Sequence, residues 1–387
     1  MIKNKGTKKE AGKKPLELYI HIPFCIRKCA YCDFLSAPAA PEVQEAYVGQ
    51  LLQEIAASKK LPEDYEAVTV FFGGGTPGIL KGELLCSILR ALRDRFSVRE
   101  DAEITVEANP GTVNRDKLVQ YREAGVNRIS LGLQSADNQE LKLLGRIHTW
   151  EQFLESFQLA RETGFRNINV DLMSALPGQT TESVHRTLER VLALSPEHIS
   201  AYSLILEEGT PLYVNQKSYA FPTEDEDREM YEFTGKYLAE EGYQRYEISN
   251  YAKDGFACRH NCVYWRRGDY VGFGLGASSM VENVRWKNPE KHAAYAVYVD
   301  HPEKWKGSQA LTTEEQMEEF MFLGLRLTEG IDTGAFQRMF GKTVEEVYGK
   351  SIAEYEARGL LARTGERLSL TPHGIDVSNV IFAEFLL

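Results

Sequence analysis

Between residues 16 and 206 the chain alternates short β-rich runs with longer stretches whose apolar positions recur at helical spacing. Residues 18–22, 68–72, 103–108, 128–133, 167–172 and 198–204 have the pattern of strands. Residues 42–57, 83–96, 115–124, 150–163 and 181–193 have the pattern of amphipathic helices. Gly125 and Gly164 stand where two of these helices should stop, and Pro77, Pro110 and Pro177 interrupt loops. Six such βα units predict a parallel sheet with helices outside. Right-handed crossovers leave two architectures, a curved barrel or an open doubly wound sheet.

Beyond Leu206 the regularity ends. A Gly- and Pro-containing stretch and the acidic run 224–227 lead into a helical pattern over 228–241, then YEISNYA, CRHNCVYW and YVGFGLGASS, whose glycines call for tight turns. From about Thr312, EEQMEEFMFLGLRL reads as a core-facing helix. The segment LLARTGERLSLTPHG, set among further helices, suggests a helix–hairpin–helix unit of winged-helix shape. The expected organisation is a flexible basic tail over 1–14, a βα core over 15–210, a completing region over 211–305 and a helical, winged-helix-like domain over 306–387.

A chain of 387 residues can bury one large core and a smaller one. Its net charge of -11 argues against a general nucleic-acid surface, because neutralising phosphates needs a local excess of Lys and Arg. No nucleic acid is expected as a partner, and the winged-helix-like unit reads as a packing or protein-contact module. No apolar run approaches the roughly 20 residues that span a bilayer, and the basic start lacks the apolar segment of a secretory signal. A cytoplasmic protein is expected. Lys3, Lys5, Lys8, Lys9, Lys13 and Lys14 read as a solvated tail, with transient contact to an anionic membrane surface as the alternative.

Six cysteines are too sparse for a disulfide scaffold, yet Cys25, Cys29 and Cys32 fall in one short loop after the first strand. Their CxxxCxxC spacing suggests a metal or redox site. Zinc normally takes four protein ligands; His21, Asp33, or the distant Cys258, His260 and Cys262 are the available fourth donors. An iron–sulfur cluster also usually has one cysteine per iron, so three thiolates leave one iron open. After the second strand comes GGGTP, where Gly73, Gly74, Gly75 and Thr76 make either a plain turn or a close backbone approach to a ligand. Glu107, Gln134 and Asp171 stand at the ends of three successive strands, where a parallel barrel gathers its chemistry.

The segment YIHIPFCIRKCAYCDF resembles the signature of the radical S-adenosylmethionine superfamily, in the branch that holds oxygen-independent coproporphyrinogen III dehydrogenase and the HemW-type haem chaperones. The resemblance covers essentially Leu16 to the C-terminus. It implies an α/β fold with a partial (β/α)6 TIM-type barrel, a [4Fe-4S] cluster on Cys25, Cys29 and Cys32, and S-adenosylmethionine chelated to the open iron. Gly73, Gly74, Gly75 and Thr76 then resemble the site for its amino group. Glu107 resembles the acid near its methionine portion, Gln134 and Arg146 further polar contacts, and Asp171 the carboxylate facing its ribose. Tyr19 and Phe34 are placed near cluster and cofactor, with Met173 as an apolar wall beside the adenosine. For Arg146 a helix-terminal ion pair is the competing role.

Two departures turn the resemblance away from the dehydrogenase. Phe34 stands where that group has a further cysteine, and a short Lys-rich leader replaces its longer closing segment. The HNxxYW motif of the HemW-type proteins is present as His260, Asn261, Tyr264 and Trp265. It implies haem, with His260 as axial ligand and the aromatics lining the macrocycle; a loop tie by the His–Asn pair is the alternative. Cys258 and Cys262 read as alternative thiolate ligands, a redox pair or small buried residues, and His148 as structural or solvated. The implied function is haem binding and transfer to an acceptor haem protein, respiratory and membrane-associated, with a homodimer left open. The alternatives are the radical dehydrogenase itself and an interaction protein with a structural cluster.

Overall fold

The alternating pattern resolves into six strands, each followed by a helix, in the computed structural model, which describes residues 13–58, 64–302 and 307–387. The strands are β1 (Lys14–Ile22), β2 (Tyr65–Gly74), β3 (Val98–Ala108), β4 (Arg128–Gln134), β5 (Ile168–Ser174) and β6 (His198–Ser203). Between them run α1 (Pro41–Ala57), α2 (Gly82–Arg95), α3 (Arg115–Glu123), α4 (Asn138–Leu143), α5 (Trp150–Glu162) and, before β6, α6 (Thr181–Leu192). The short α4 was not visible as a periodic segment; Asp137 caps it by accepting from the Gln139 and Glu140 amides. The six strands pair in chain order, all parallel.

The sheet continues past these six. After α7 (Pro211–Val214) and α8 (Glu224–Glu240) come β7 (Gln244–Glu247) and β8 (Asn250–Ala252), antiparallel at the β6 edge. The helix α9 (Arg259–Trp265) precedes β9 (Asp269–Phe273), which lies parallel to β1 on the opposite edge. There β10 (Ser278–Val281), β11 (Val284–Lys287) and, beyond α10 (His292–Asp300), β12 (Ser308–Ala310) complete twelve strands. The glycine-rich stretch expected only to turn thus supplies a seventh parallel strand. The acidic run belongs to the helix it leads into. Glu224, Asp225, Glu226 and Asp227 form the first turn of α8, where negative charge meets the positive end of the helix dipole and Thr223 closes a capping box with Glu226. Of the expected basic tail, residues 1–12 lie outside the described residues, while Lys14 already opens β1 and pairs with Asp64 and Glu282 at 3.4 and 3.2 Å.

One phase of each strand is apolar and faces the helices. Leu16, Leu18, Ile20, Val70, Phe72, Ile104, Val106, Ile129, Leu131, Ile168 and Val170 are buried there in one core. The other phase faces inward and is largely polar, which is what makes the barrel a site rather than a filled core.

A second, separate core holds the C-terminal unit. It is built from α11 (Thr313–Gly324), β13 (Ile331–Asp332), α12 (Thr333–Phe340), α13 (Val344–Ala357), β14 (Leu361–Thr364), β15 (Arg367–Leu370), α14 (Pro372–Asp376) and α15 (Ser378–Ala383). The β14–β15 hairpin with β13 alongside gives the winged-helix outline. Phe336 is fully buried at its centre, against Phe320, Phe340 and Tyr348. Phe336→Ala is expected to cost about 3–5 kcal/mol of this unit's stability. Chemical denaturation checks it: the expected result is an early transition confined to the C-terminal unit, and an unchanged profile would contradict it.

Candidate functional site

Strand register decides which inward side chains meet. Glu17, Thr69 and Glu103 are neighbours across β1, β2 and β3; one step up, Phe71, Thr105 and Arg128 align across β2, β3 and β4; higher still, Gly132, Asp171 and Ser200 align across β4, β5 and β6. Of these, Phe71, Arg128, Gly132, Asp171 and Ser200 border, together with the cysteine loop and α9, a cavity of about 780 Å³, well within the range of small-molecule sites. The open sheet therefore curves around a volume, and the barrel reading prevails over the doubly wound one.

The loop carrying Cys25, Cys29 and Cys32 caps this cavity. It is fastened by backbone bonds from Cys25 N to Ala37 O (3.2 Å), Ala30 N to Leu144 O (3.0 Å), Leu212 N to Ala30 O (2.8 Å) and Thr76 N to Phe24 O (2.7 Å). Arg27 adds a side-chain bond to Gly145 O at 2.6 Å. All three cysteines line the cavity, with Arg146 Nη1 donating to Cys29 Sγ at 3.6 Å. Burial pushes the Cys25 and Cys32 thiols up, so thiolates there need a positive partner. No three His, Cys, Asp or Glu side chains converge on a single ion among the described residues. A cluster asks for something else, since each thiolate takes its own iron and the ligands ring a volume. Three cysteines around a cavity mouth fit that arrangement. They do not fit a four-ligand zinc site completed by Cys258, His260 and Cys262, which are engaged lower in the barrel.

Of the glycine turn, Gly74, Gly75 and Thr76 border the cavity, whereas Gly73 does not. A Cβ on Gly73 would meet the rings of Tyr19 and Phe71, each at 3.0 Å, so its smallness serves packing, a correction to its expected ligand role. A Cβ on Gly75 would lie 2.5 Å from Phe24 O, which explains how the cysteine loop can cross the end of β2 so closely. Thr76 Oγ1 accepts from Asn109 Nδ2 at 2.8 Å, and Asn109 Oδ1 accepts from Arg146 Nη2 at 2.6 Å. Arg146 has no ion pair among the described residues, which removes the helix-terminal reading. Asn109 was missed, although it directly follows the strand-end acid Glu107 by two positions.

Glu107, Gln134, Asp171, Met173, Tyr19 and Phe34 all border the same cavity. Gln134 holds a left-handed backbone, φ 78°, at a bulge after Gly132, a strained geometry of the kind found at ligand sites. Its Oε1 accepts from Tyr202 Oη at 3.3 Å. Asp171 accepts from Asn169 Nδ2 at 2.7 Å and Ser130 Oγ at 3.3 Å. Tyr19 Oη bonds His21 Nδ1 at 3.1 Å while His21 Nε2 meets Leu35 O at 3.0 Å, which fixes the tyrosine ring. Phe34 borders the cavity from its rim, where it is 64% exposed. Phe24, fully buried against Tyr47, packs away from the cavity.

The HNxxYW residues sit on α9, which closes the cavity from below. Its first turn is held by Glu103, whose carboxylate accepts from the amides of Arg259 and His260, each at 3.2 Å. Thr69 Oγ1 donates to Glu17 Oε1 at 3.0 Å and lies 2.7 Å from His260 Nδ1. A hydroxyl has one proton. With Thr69 assigned as the donor to Glu17, the matching His260 tautomer carries its proton on Nδ1 and leaves Nε2 as the acceptor. That nitrogen is buried and has no partner. Burial, aided by the Arg128 charge, lowers the imidazole to about 3, so it is neutral at physiological pH. Phe71 stacks on the ring at 4.9 Å and Tyr264 meets it edge-on at 5.0 Å.

His260, Asn261 and Tyr264 border the cavity, but Trp265 does not. Arg326 of the C-terminal unit lies 4.3 Å over its ring, so Trp265 joins the two units instead of lining a macrocycle. Cys258 and Cys262 are buried free thiols. Cys258 Sγ donates to Glu103 at 3.5 Å, and burial pushes Cys258 well up and Cys262 up to about 11. Neither is a ready thiolate, and they form no disulfide. His148, buried with Nε2 at 3.2 Å from Leu133 O, lies outside the cavity and is structural.

The Radical SAM superfamily model matches residues 19–191, and the HemN C-terminal domain model matches residues 311–377. A heme chaperone HemW of Lactococcus lactis is 37% identical over 97% of this chain and 98% of its own. The heme chaperone HemW of Escherichia coli is also 37% identical, over 96% and 98%, and that of Bacillus subtilis 36%, over 95% and 98%. Among solved structures, coproporphyrinogen III oxidase (HemN) from Escherichia coli, described as a radical SAM enzyme, superposes with a TM-score of 0.84 at 25% identity, covering 98% of this chain and 91% of that one.

Burial and the facing Asp171 charge raise the Glu107 carboxyl from 4.5 to about 8, against the Gly74 amide and Arg128, which lower it. Tyr19 and Tyr202 also face it. The folded chain then keeps a proton that the unfolded chain has released, so stability of the cofactor-free protein should fall as pH rises from 4.5 and level off above about 8. Glu107→Gln, which mimics the protonated acid, should flatten that fall. Urea midpoints across this interval measure it, and an equally steep fall in the variant would refute the assignment.

Proposed function

The chain belongs to the HemW family of the radical S-adenosylmethionine superfamily, and from that premise we propose that it binds haem in the barrel cavity and hands it to an acceptor haem protein. The family's [4Fe-4S] cluster and S-adenosylmethionine belong to the same cavity. In this reading Cys25, Cys29 and Cys32 hold three irons, and the fourth is free for the amino and carboxylate groups of S-adenosylmethionine. Gly74, Gly75 and Thr76 edge the amino group. Glu107 serves the methionine portion, Gln134 and Arg146 orient the cofactor, and Asp171 takes the ribose. Tyr19 and Met173 wall it in, and Phe34 stands at the outer rim. Arg146 further steadies Cys29 as a thiolate, since a guanidinium beside sulfur favours the charged form. Cluster and cofactor together supply one-electron chemistry when bound.

The observation that carries the haem assignment is the state of His260. A neutral imidazole that borders the cavity, with Nδ1 engaged by Thr69 and Nε2 without a partner, is the form that ligates iron. The Glu17–Thr69 pair orients it as an outer ligand shell does. Phe71 and Tyr264 beside it offer apolar faces to a macrocycle. Preference for the chaperone over the dehydrogenase rests on Phe34 in place of a further cysteine and on identity of 37% to the HemW relative against 25% to HemN. The acceptor is a respiratory or other haem protein. Support for a docking contact comes from Phe34 and Ile205, apolar side chains 64% and 70% exposed at the cavity rim. No helix among the described residues is long and apolar enough to cross a membrane.

After anaerobic cluster reconstitution the protein is expected to retain stoichiometric haem, to leave coproporphyrinogen III unchanged, and to lose its haem absorption bands on His260→Ala. Visible spectroscopy and porphyrin analysis read both. Decarboxylated product formed with S-adenosylmethionine would overturn the proposal in favour of the dehydrogenase.

A further inference from the structure

Arg128 enters the barrel from the first residue of β4 and is 2% exposed. Its guanidinium is a permanent cation with five donors. Among the described residues it makes no hydrogen bond and no ion pair within 4 Å, and its buried Nε has no acceptor. The nearby acids are committed elsewhere. Glu103 caps α9 through the amides of Arg259 and His260, and Asp171 accepts from Asn169 and Ser130. They offset the charge through space without filling the fork.

The surroundings share the same deficit. Thr105, the cross-strand neighbour of Arg128, has a buried hydroxyl with no partner, as does Asn250 at its Oδ1 and His260 at its Nε2. Arg128, Asn250 and His260 border one cavity. Arg128 borders the cavity with a guanidinium fork that no acceptor fills, which marks a place for a polar ligand group, because a buried charge left unpaired is strongly unfavourable. A planar fork of N–H donors matches the two oxygens of a carboxylate. The methionine end of the cofactor is already provided for near the cysteines by Arg146, so the carboxylate at Arg128 comes from a different molecule.

We propose that Arg128 is the seat of a carboxylate, and, resting on the haem reading above, that it receives one haem propionate while His260 faces the iron. The lower cavity would then recognise a porphyrin by two separated features, a metal and an acid side arm.

The test titrates the full chain with haem and with its dimethyl ester, which differ only at the two carboxylates, and follows the haem absorbance. Wild type is expected to bind the diester on the order of tenfold more weakly than haem or worse, as suits a charged bidentate pair. Arg128→Gln should bind haem as weakly as wild type binds the diester and show no preference between them. Arg128→Lys, which keeps the charge without the fork, should recover part of the preference. Equal binding of both ligands by wild type overturns the proposal without any variant having to fold, and so does a preference that survives Arg128→Gln. A parallel arm uses free propionate: it should raise the melting temperature of wild type and not of Arg128→Gln. If propionate stabilises wild type but haem does not bind, the carboxylate seat stands and the haem reading fails; if haem binds and neither propionate nor the ester comparison responds, the seat fails alone.

Discussion

The Glu103 carboxylate, inside the barrel, accepts the first amides of α9, and the lower site depends on that bond. A helix start brings unpaired N–H groups, and a buried carboxylate brings unpaired oxygens. Each is unfavourable alone, and together they satisfy one another. The pairing draws α9 across the barrel floor, places His260 between Phe71 and Thr69, and removes Glu103 as a direct partner for Arg128. The orphaned atoms of the lower cavity are thus a consequence of how the floor is closed.

At the upper end, order comes from close backbone packing. The cysteine loop is bonded to the segment after α4, to the start of α7 and to the residue after Gly75. It can lie so close only because Gly75 has no side chain to strike Phe24 O. Arg146, Asn109 and Thr76 then form a bonded line from Cys29 to the glycine turn. Cysteines and cofactor-facing groups are therefore set relative to one another by the main chain and by three side chains of fixed reach.

Much of this was legible from the sequence. The six strands were found because their apolar phase packs on helices, and the cysteine loop because three thiols in so short a span have few other uses. What was missed lay in the opposite phase of the same strands. Arg128 and Ser130 below the expected Gln134, Asn169 below the expected Asp171, and His198, Ser200 and Tyr202 stand at even spacing, the mark of a strand whose inner face is polar. Reading only the polar residue at each strand end found Glu107, Gln134 and Asp171 and passed over Arg128 and Asn109. The roles of Gly73 and Trp265 were misread for another reason: sequence spacing does not say which way a residue faces. Gly73 turns to Tyr19, and Trp265 leaves its own motif to meet Arg326.

That last contact changes what the C-terminal unit is. Within a helix of seven residues, one face carries the imidazole and the other carries the indole under Arg326, which itself lies 3.9 Å from Glu247 of β7. Two turns of helix are too short to bend between those faces. The winged-helix-like unit, though it has its own core, therefore abuts the helix that carries His260, and a shift of Arg326 would reach that helix through Trp265.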